Sequence, residues 1–144
     1  MKILVINGPN LNLLGQRENY HYGELTLQEI EKKIINEFPD DTFEFFQSNL
    51  EGEIINKIQE CSEKFDGLII NPGGYSHSSI AIRDALEICQ LTKIEVHLSN
   101  LTSREDFRKS MITSAACDGI VSGFKGNSYL GGIYLLKKIF EESN

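Results

Sequence analysis

Five short runs suited to buried strands recur along this chain, each followed by a polar or glycine-containing exit. They are Ile3–Ile6, Thr42–Gln47, Gly67–Asn71, Ile94–Leu98 and Gly119–Gly123. Between them lie stretches whose apolar residues fall at helical spacing. Leu27, Ile30, Ile34 and Phe38 form one stripe, opened by Thr26 with Glu29 three residues on and closed by Pro39. That opening has the form of a capping box. Ile54, Ile55, Ile58 and Cys61 mark a second helix over 51–65. Ile82, Ala85, Leu86 and Cys89 mark a third over 79–89. Thr102 with Glu105 predicts a fourth, reaching Met111, and 130–140 reads as the last. Strands that alternate with helices build a parallel sheet covered on both faces, with right-handed crossovers. Five of them favour a flavodoxin-like doubly wound α/β sheet, whose ligands bind at the carboxyl ends of the strands.

The chain reads as one domain spanning 1–144, because 144 residues can bury a core without staples. A net charge of −7 argues against a nucleic-acid or anionic-membrane partner, either of which needs a basic face. An anionic small molecule would have to be met by local arginines. Cys61, Cys89 and Cys117 are widely spaced and odd in number, which fits free thiols in a reducing cytoplasm better than a disulfide scaffold. The apolar run at the start is too short for a signal peptide or a membrane span. Three histidines without metal-ligand spacing make no zinc motif.

Four strand exits carry unusual numbers of amides and hydroxyls. They are Asn7-Gly8-Pro9-Asn10, Gln47-Ser48-Asn49, Asn71-Pro72-Gly73-Gly74 and His97-Leu98-Ser99-Asn100. One such loop is turn chemistry; four on one rim suggest a polar pocket for a hydroxylated small molecule. Glu95 and His97 are two apart on a strand, so they project to one face. A carboxylate beside an imidazole fixes its tautomer and raises its basicity. The plainer reading is a surface ion pair. The connection from Asn10 to Gly23 is long for a βα loop, usually about 2–6 residues. It carries Arg17, Tyr20, His21 and Tyr22. An arginine close to a tyrosine favours the phenolate and makes it usable as a base; the alternative is a surface aromatic beside a solvated arginine. The segment from Asn71 to Ser79 joins a strand to a helix that Ser78 or Ser79 can cap, and its glycines let backbone approach a ligand. Arg104 and Arg108, four apart on the expected helix, face one way, and either can grip a carboxylate.

Together these segments resemble type II 3-dehydroquinate dehydratases. The resemblance rests on several blocks in order. The first is Ile6-Asn7-Gly8-Pro9-Asn10-Leu11-Asn12, followed by Leu14-Gly15-Gln16-Arg17-Glu18 and Tyr22-Gly23. Then come Gln47-Ser48-Asn49-Leu50-Glu51-Gly52, the stretch from Asn71 to Ala85, and Ile94-Glu95-Val96-His97-Leu98-Ser99-Asn100 with Arg104-Glu105-x-Phe107-Arg108. The resemblance implies a cofactor-free hydro-lyase that converts 3-dehydroquinate to 3-dehydroshikimate and water. It serves the shikimate pathway of aromatic amino acid biosynthesis or the breakdown of quinate. The resemblance also implies a lid loop at about 16–23 and these roles: Tyr22 takes a proton from C2, and Arg17 favours its phenolate. His97 protonates the departing C1 hydroxyl, with Glu95 orienting it, and Asn10 holds a water near the enolate oxygen. Asn71, His77, Leu98, Ser99 and Arg108 bind substrate, and Asp84 reaches in from a neighbouring subunit. Trimers packed into a homododecamer are implied as well. Three places depart from the family pattern: Asn19 where proline is usual, Leu101-Thr102 where an apolar residue and histidine are usual, and the divergent run Gly126 to Gly132.

The same residues disfavour two other flavodoxin-like readings. A phosphoryl receiver needs an acidic pair after the first strand and an aspartate ending the third, where this chain has Asn7 and Asn71. A flavin binder needs a phosphate loop that Gly8-Pro9-Asn10-Leu11-Asn12 does not supply.

Overall fold

The computed structural model describes every residue from Met1 to Asn144. Five parallel strands form one sheet in the order β2-β1-β3-β4-β5. They are β1 (Lys2–Asn7), β2 (Thr42–Gln47), β3 (Gly67–Asn71), β4 (Thr92–His97) and β5 (Gly119–Ser122). Five helices accompany them: α1 (Asn19–Tyr22), α2 (Leu27–Glu37), α3 (Glu51–Gln59), α4 (Ile80–Ile88) and α5 (Asn127–Ser143). The fold is the doubly wound, flavodoxin-like arrangement. No helix is long and apolar enough to cross a membrane.

Alternation along the strands divides the core in two. Ile3, Val5, Ile69, Ile94 and Val96 pack with Leu27, Ile30 and Ile34 of α2 and Tyr129, Ile133 and Leu136 of α5. Leu4, Ile6, Leu68 and Ile70 point the other way, against Ile54 and Ile58 of α3 and Ile82, Ala85 and Leu86 of α4. Burying an aliphatic side chain of this kind contributes about 1.5–3 kcal/mol, so both helical layers are held chiefly by these stripes. Gly132 lets α5 lie close on β4: a Cβ there would stand 2.7 Å from Val96 Cγ1.

Local chemistry sets the element ends. The capping box at α2 is formed, with Thr26 Oγ1 accepting from Glu29 N at 3.2 Å and Glu29 Oε2 accepting from Thr26 N at 2.8 Å. Ser79 caps α4 by accepting from Ile82 N at 2.9 Å. α3 ends at Gln59, short of the expected 65, because the chain turns there, with Lys64 N and Phe65 N both donating to Cys61 O. Cys61 and Phe65 nevertheless stay in the core. α5 is longer than expected at both ends.

The helix predicted from Thr102 to Met111 does not form. Two 3-10 turns stand there, Leu101–Ser103 and Asp106–Lys109, separated by extended backbone at Arg104. Asn100 Oδ1 accepts from Thr102 N and Thr102 Oγ1, and Ser103 Oγ donates to Asn100 O. Such side-chain bonds compete with helical ones. Glu105, the expected capping-box acid, instead accepts from Arg108 Nε at 2.7 Å.

The order of strands reverses between β1 and β3, so their carboxyl ends open a crevice. The loops above it nearly touch. Gly8 N donates to Asn71 O at 2.8 Å, and a Cβ on Gly8 would meet Pro72 O at 2.5 Å. Only glycine fits that approach.

Candidate active site

A cavity of about 100 Å³ opens at this crevice. Its walls include Asn10, Arg17, Tyr22, Asn71, His77, His97, Leu98, Ser99, Arg104 and Arg108. Nine of these ten positions were expected from the sequence; Arg104 was named there only as a possible carboxylate grip. Tyr22 and His97 thus share one chamber.

The loop after β1 reaches the chamber through a left-handed residue, Asn10, at φ 68°. Asparagine tolerates that conformation better than most residues. Asn10 N donates to Asn49 Oδ1 at 3.0 Å, which ties the first loop to the exit of β2. The chain then folds back as α1 and buries Tyr22, whose ring joins the core of the α2–α5 side with 6% of its surface exposed. Its hydroxyl oxygen meets two cations. Arg17 Nη2 and Arg104 Nη1 each donate to it at 2.6 Å. The Arg17 guanidinium also lies 3.8 Å from the centre of the tyrosine ring. Arg104 has only 8% of its side chain exposed, and its Nη1 also donates to Ser99 Oγ at 3.3 Å. Its Nε is buried without a hydrogen-bond partner. Nε lies 3.6 Å from Glu105 Oε2, so the guanidinium is ion-paired on one side while Nη1 meets Tyr22 and Ser99 on the other.

Across the chamber, His97 closes β4. Its Nε2 donates to Glu95 Oε1 at 2.6 Å. Glu95 is fully buried behind the ring and also accepts from Ser76 Oγ and Thr113 Oγ1, each at 2.6 Å. With Nε2 committed, Nδ1 is the ring nitrogen left for a ligand. His77 stacks beside it, with ring centroids 6.3 Å apart, and its Nδ1 donates to Ser110 O at 2.9 Å. Burial pushes the His77 pKa below the ordinary histidine value; His97 and Arg108 push the same way, against the Ser110 carbonyl and Glu95.

Asn71 is fixed before any ligand arrives. Its Oδ1 accepts from Gly73 N at 3.1 Å and its Nδ2 donates to Tyr129 Oη at 3.0 Å. Tyr129 Oη in turn donates to Asn7 Oδ1 at 2.5 Å. Burial drives the Tyr129 phenol pKa well above its usual value, so it stays a neutral donor. Asp84 lies outside the cavity, on the exposed face of α4. Arg108 stands at the mouth, paired to Glu105 and 21% exposed.

The contributions of Arg104, Ser76 and Thr113 were not apparent from the sequence. The signal for Arg104 was its four-residue spacing from Arg108; nothing in the sequence marked the two hydroxyls.

A tyrosine hydroxyl flanked by guanidinium groups and an imidazole backed by a buried carboxylate, at the switch point of a flavodoxin-like sheet, define an acid–base pocket. A family model described as dehydroquinase class II matches residues 1–137. The 3-dehydroquinate dehydratase of a Nitratiruptor species is 50% identical, with 99% of this chain and 92% of that relative covered. The crystal structure of type II dehydroquinase from Butyrivibrio crossotus DSM 2876 superposes with a TM-score of 0.92 at 45% identity, covering 95% of this chain and 97% of that one. That of Propionibacterium acnes gives 0.88 at 34% identity, covering 94% and 96%. The chain belongs to the type II 3-dehydroquinate dehydratase family.

Proposed function

We propose that this protein dehydrates 3-dehydroquinate to 3-dehydroshikimate through an enolate, with Tyr22 as base and His97 as acid. The observation that carries the reading is the double guanidinium contact on the Tyr22 hydroxyl, in the same chamber as His97. Removing a proton beside a ketone needs a base, a stabiliser for the enolate and an acid for the leaving hydroxide. In the proposed step the Tyr22 oxygen, gripped by both guanidinium groups, is the base and takes the C2 proton. Asn10, on the chamber wall, holds the water that donates to the enolate oxygen. His97, held through Nε2 by Glu95, is the acid and gives a proton to the C1 hydroxyl as the C–O bond breaks, and water leaves. The electron pair of the broken C–H bond ends in the new ring double bond. Asn71, His77, Ser99, Arg108 and the Leu98 backbone hold the substrate's carboxylate and hydroxyls, with arginine suited to the carboxylate.

Asp84 acts from a neighbouring copy in a homododecamer of trimers. Ile80 and Ile88 flank it at four-residue intervals and are 64% and 68% exposed, an apolar face suited to a partner surface. Three free thiols support a cytoplasmic setting, in aromatic biosynthesis or quinate breakdown.

The test adds 3-dehydroquinate and follows the ultraviolet rise of the conjugated enone. Wild-type protein is expected to turn over. Tyr22→Phe and His97→Ala are each expected to lose at least about a hundredfold in kcat while their circular dichroism stays unchanged. Near-normal turnover by either variant would overturn its role, and an inactive wild type would overturn the reaction.

A further inference from the structure

Glu95 is held by more than its histidine. The carboxylate is fully buried, and three donors converge on it. His97 Nε2 and Ser76 Oγ share Oε1, and Thr113 Oγ1 takes Oε2, all at 2.6 Å. Ser76 and Thr113 are themselves fully buried. They come from separate segments, the turn after β3 and the stretch before β5. The two segments are joined first: Ile112 N and Thr113 N both donate to Ser76 O, at 2.8 and 3.3 Å. Both hydroxyls are thus set in place by backbone before they reach the carboxylate.

We propose that Ser76 and Thr113 are positioning residues for proton delivery, acting through Glu95 on the orientation of His97. This rests on the lyase reading above. A carboxylate gripped on one oxygen by a histidine keeps a soft terminal torsion. A hydroxyl on the opposite oxygen removes that freedom, and one on the same oxygen fixes the plane. A carboxylate only accepts, so both hydroxyls must donate to it, as charge-assisted bonds. The imidazole is then aimed by a carboxylate that cannot swing. A carboxylate held in this way fixes the tautomer and ring orientation of the imidazole it accepts from. The same strap orients His77, whose Nδ1 donates to Ser110 O, so one stretch of chain aligns both histidines of the chamber.

The test is steady-state kinetics on the intact protein with 3-dehydroquinate. Wild-type turnover is established first, because its absence would sink the lyase reading and leave the hydroxyls unaddressed. Thr113→Val removes the hydroxyl and keeps the shape. It is expected to lower kcat about tenfold to a hundredfold with KM changed less than about twofold. Thr113→Ser, which keeps the hydroxyl, is expected to return kcat to within about threefold of wild type. In a Glu95→Gln background the valine change is expected to cost less than about twofold more, since its route is already cut. Should Thr113→Val fail to fold, Ser76→Ala, which deletes a single oxygen, carries the same comparisons. A folded Thr113→Val or Ser76→Ala variant with wild-type kcat would overturn the proposal. So would a full additional loss on top of Glu95→Gln, or a serine that fails to rescue.

Discussion

His77 shows how the chamber sets charge at a single residue. Its folded pKa lies below the ordinary value, because burial and the neighbouring His97 and Arg108 disfavour its cation. In the unfolded chain the ring protonates near about pH 6.5. Between the folded and unfolded midpoints the unfolded chain binds more protons, so stability rises with pH across that window. The contribution is therefore complete above the unfolded midpoint and is lost as pH falls through the folded one. His77→Asn keeps an N–H for Ser110 O and cannot titrate. Urea denaturation at about pH 7 and pH 5.5 is expected to show a smaller acid loss of stability in the variant; equal losses would contradict the assignment. The sequence made His77 and most of its neighbours legible because whole blocks of strand exit carry them. Arg104 was less so. On one continuous helix it would have matched Arg108, but the chain extends at Arg104, and its side chain turns under Tyr22 while Arg108 remains at the mouth. Thr113 lies in a stretch without periodicity or motif, so only the folded chain brings it to Glu95.

The element that carries the proposed base is one of the shortest. α1 is four residues long, and it alone carries Tyr22 into the core. Its first residue, Asn19, stands where the family pattern has proline. Proline suits the first helical position, where its fixed φ is compatible and its missing N–H is no loss. Glu18, with φ −58° and ψ 115°, already holds the extended conformation that precedes proline. Asn19→Pro is therefore expected to stabilise the protein by about 0.4–1 kcal/mol, by restricting the unfolded chain. It is also expected to slow proteolysis within 16–23 without lowering kcat. Thermal melts and limited digestion check this, and a lowered melting temperature would mean that the backbone here cannot take proline. Among the elements, strands and capped helices were legible because buried aliphatic runs and Thr26, Glu29 and Ser79 act locally. The failure at 102–111 has the opposite cause: Asn100, Thr102 and Ser103 spend their hydrogen bonds on one another, and periodicity carries no record of that competition.

At the scale of the whole molecule, one substrate-binding residue carried over from the family does not reach the chamber of its own chain. Asp84 sits on the outward face of α4, between the exposed Ile80 and Ile88, while the cavity is lined from the strand exits. If Asp84 completes the site of a neighbouring copy, two inactive variants can repair each other. A subunit with Asp84→Ala keeps its own Tyr22, and a subunit with Tyr22→Phe keeps its own Asp84. When both occupy one closed ring, a site at their junction draws Tyr22 from the first and Asp84 from the second. Co-expressed and purified as mixed oligomers, the pair is expected to recover activity that neither variant has alone. An aspartate acting within its own chain would leave every mixed site lacking one group or the other, and no activity would return. Ile80→Glu with Ile88→Glu gives the companion measurement. Charges placed on that apolar face are expected to lower the mass seen by light scattering and, with it, turnover per chain. A variant that stayed fully assembled would remove α4 from the interface and, with it, the route by which Asp84 reaches a partner's substrate.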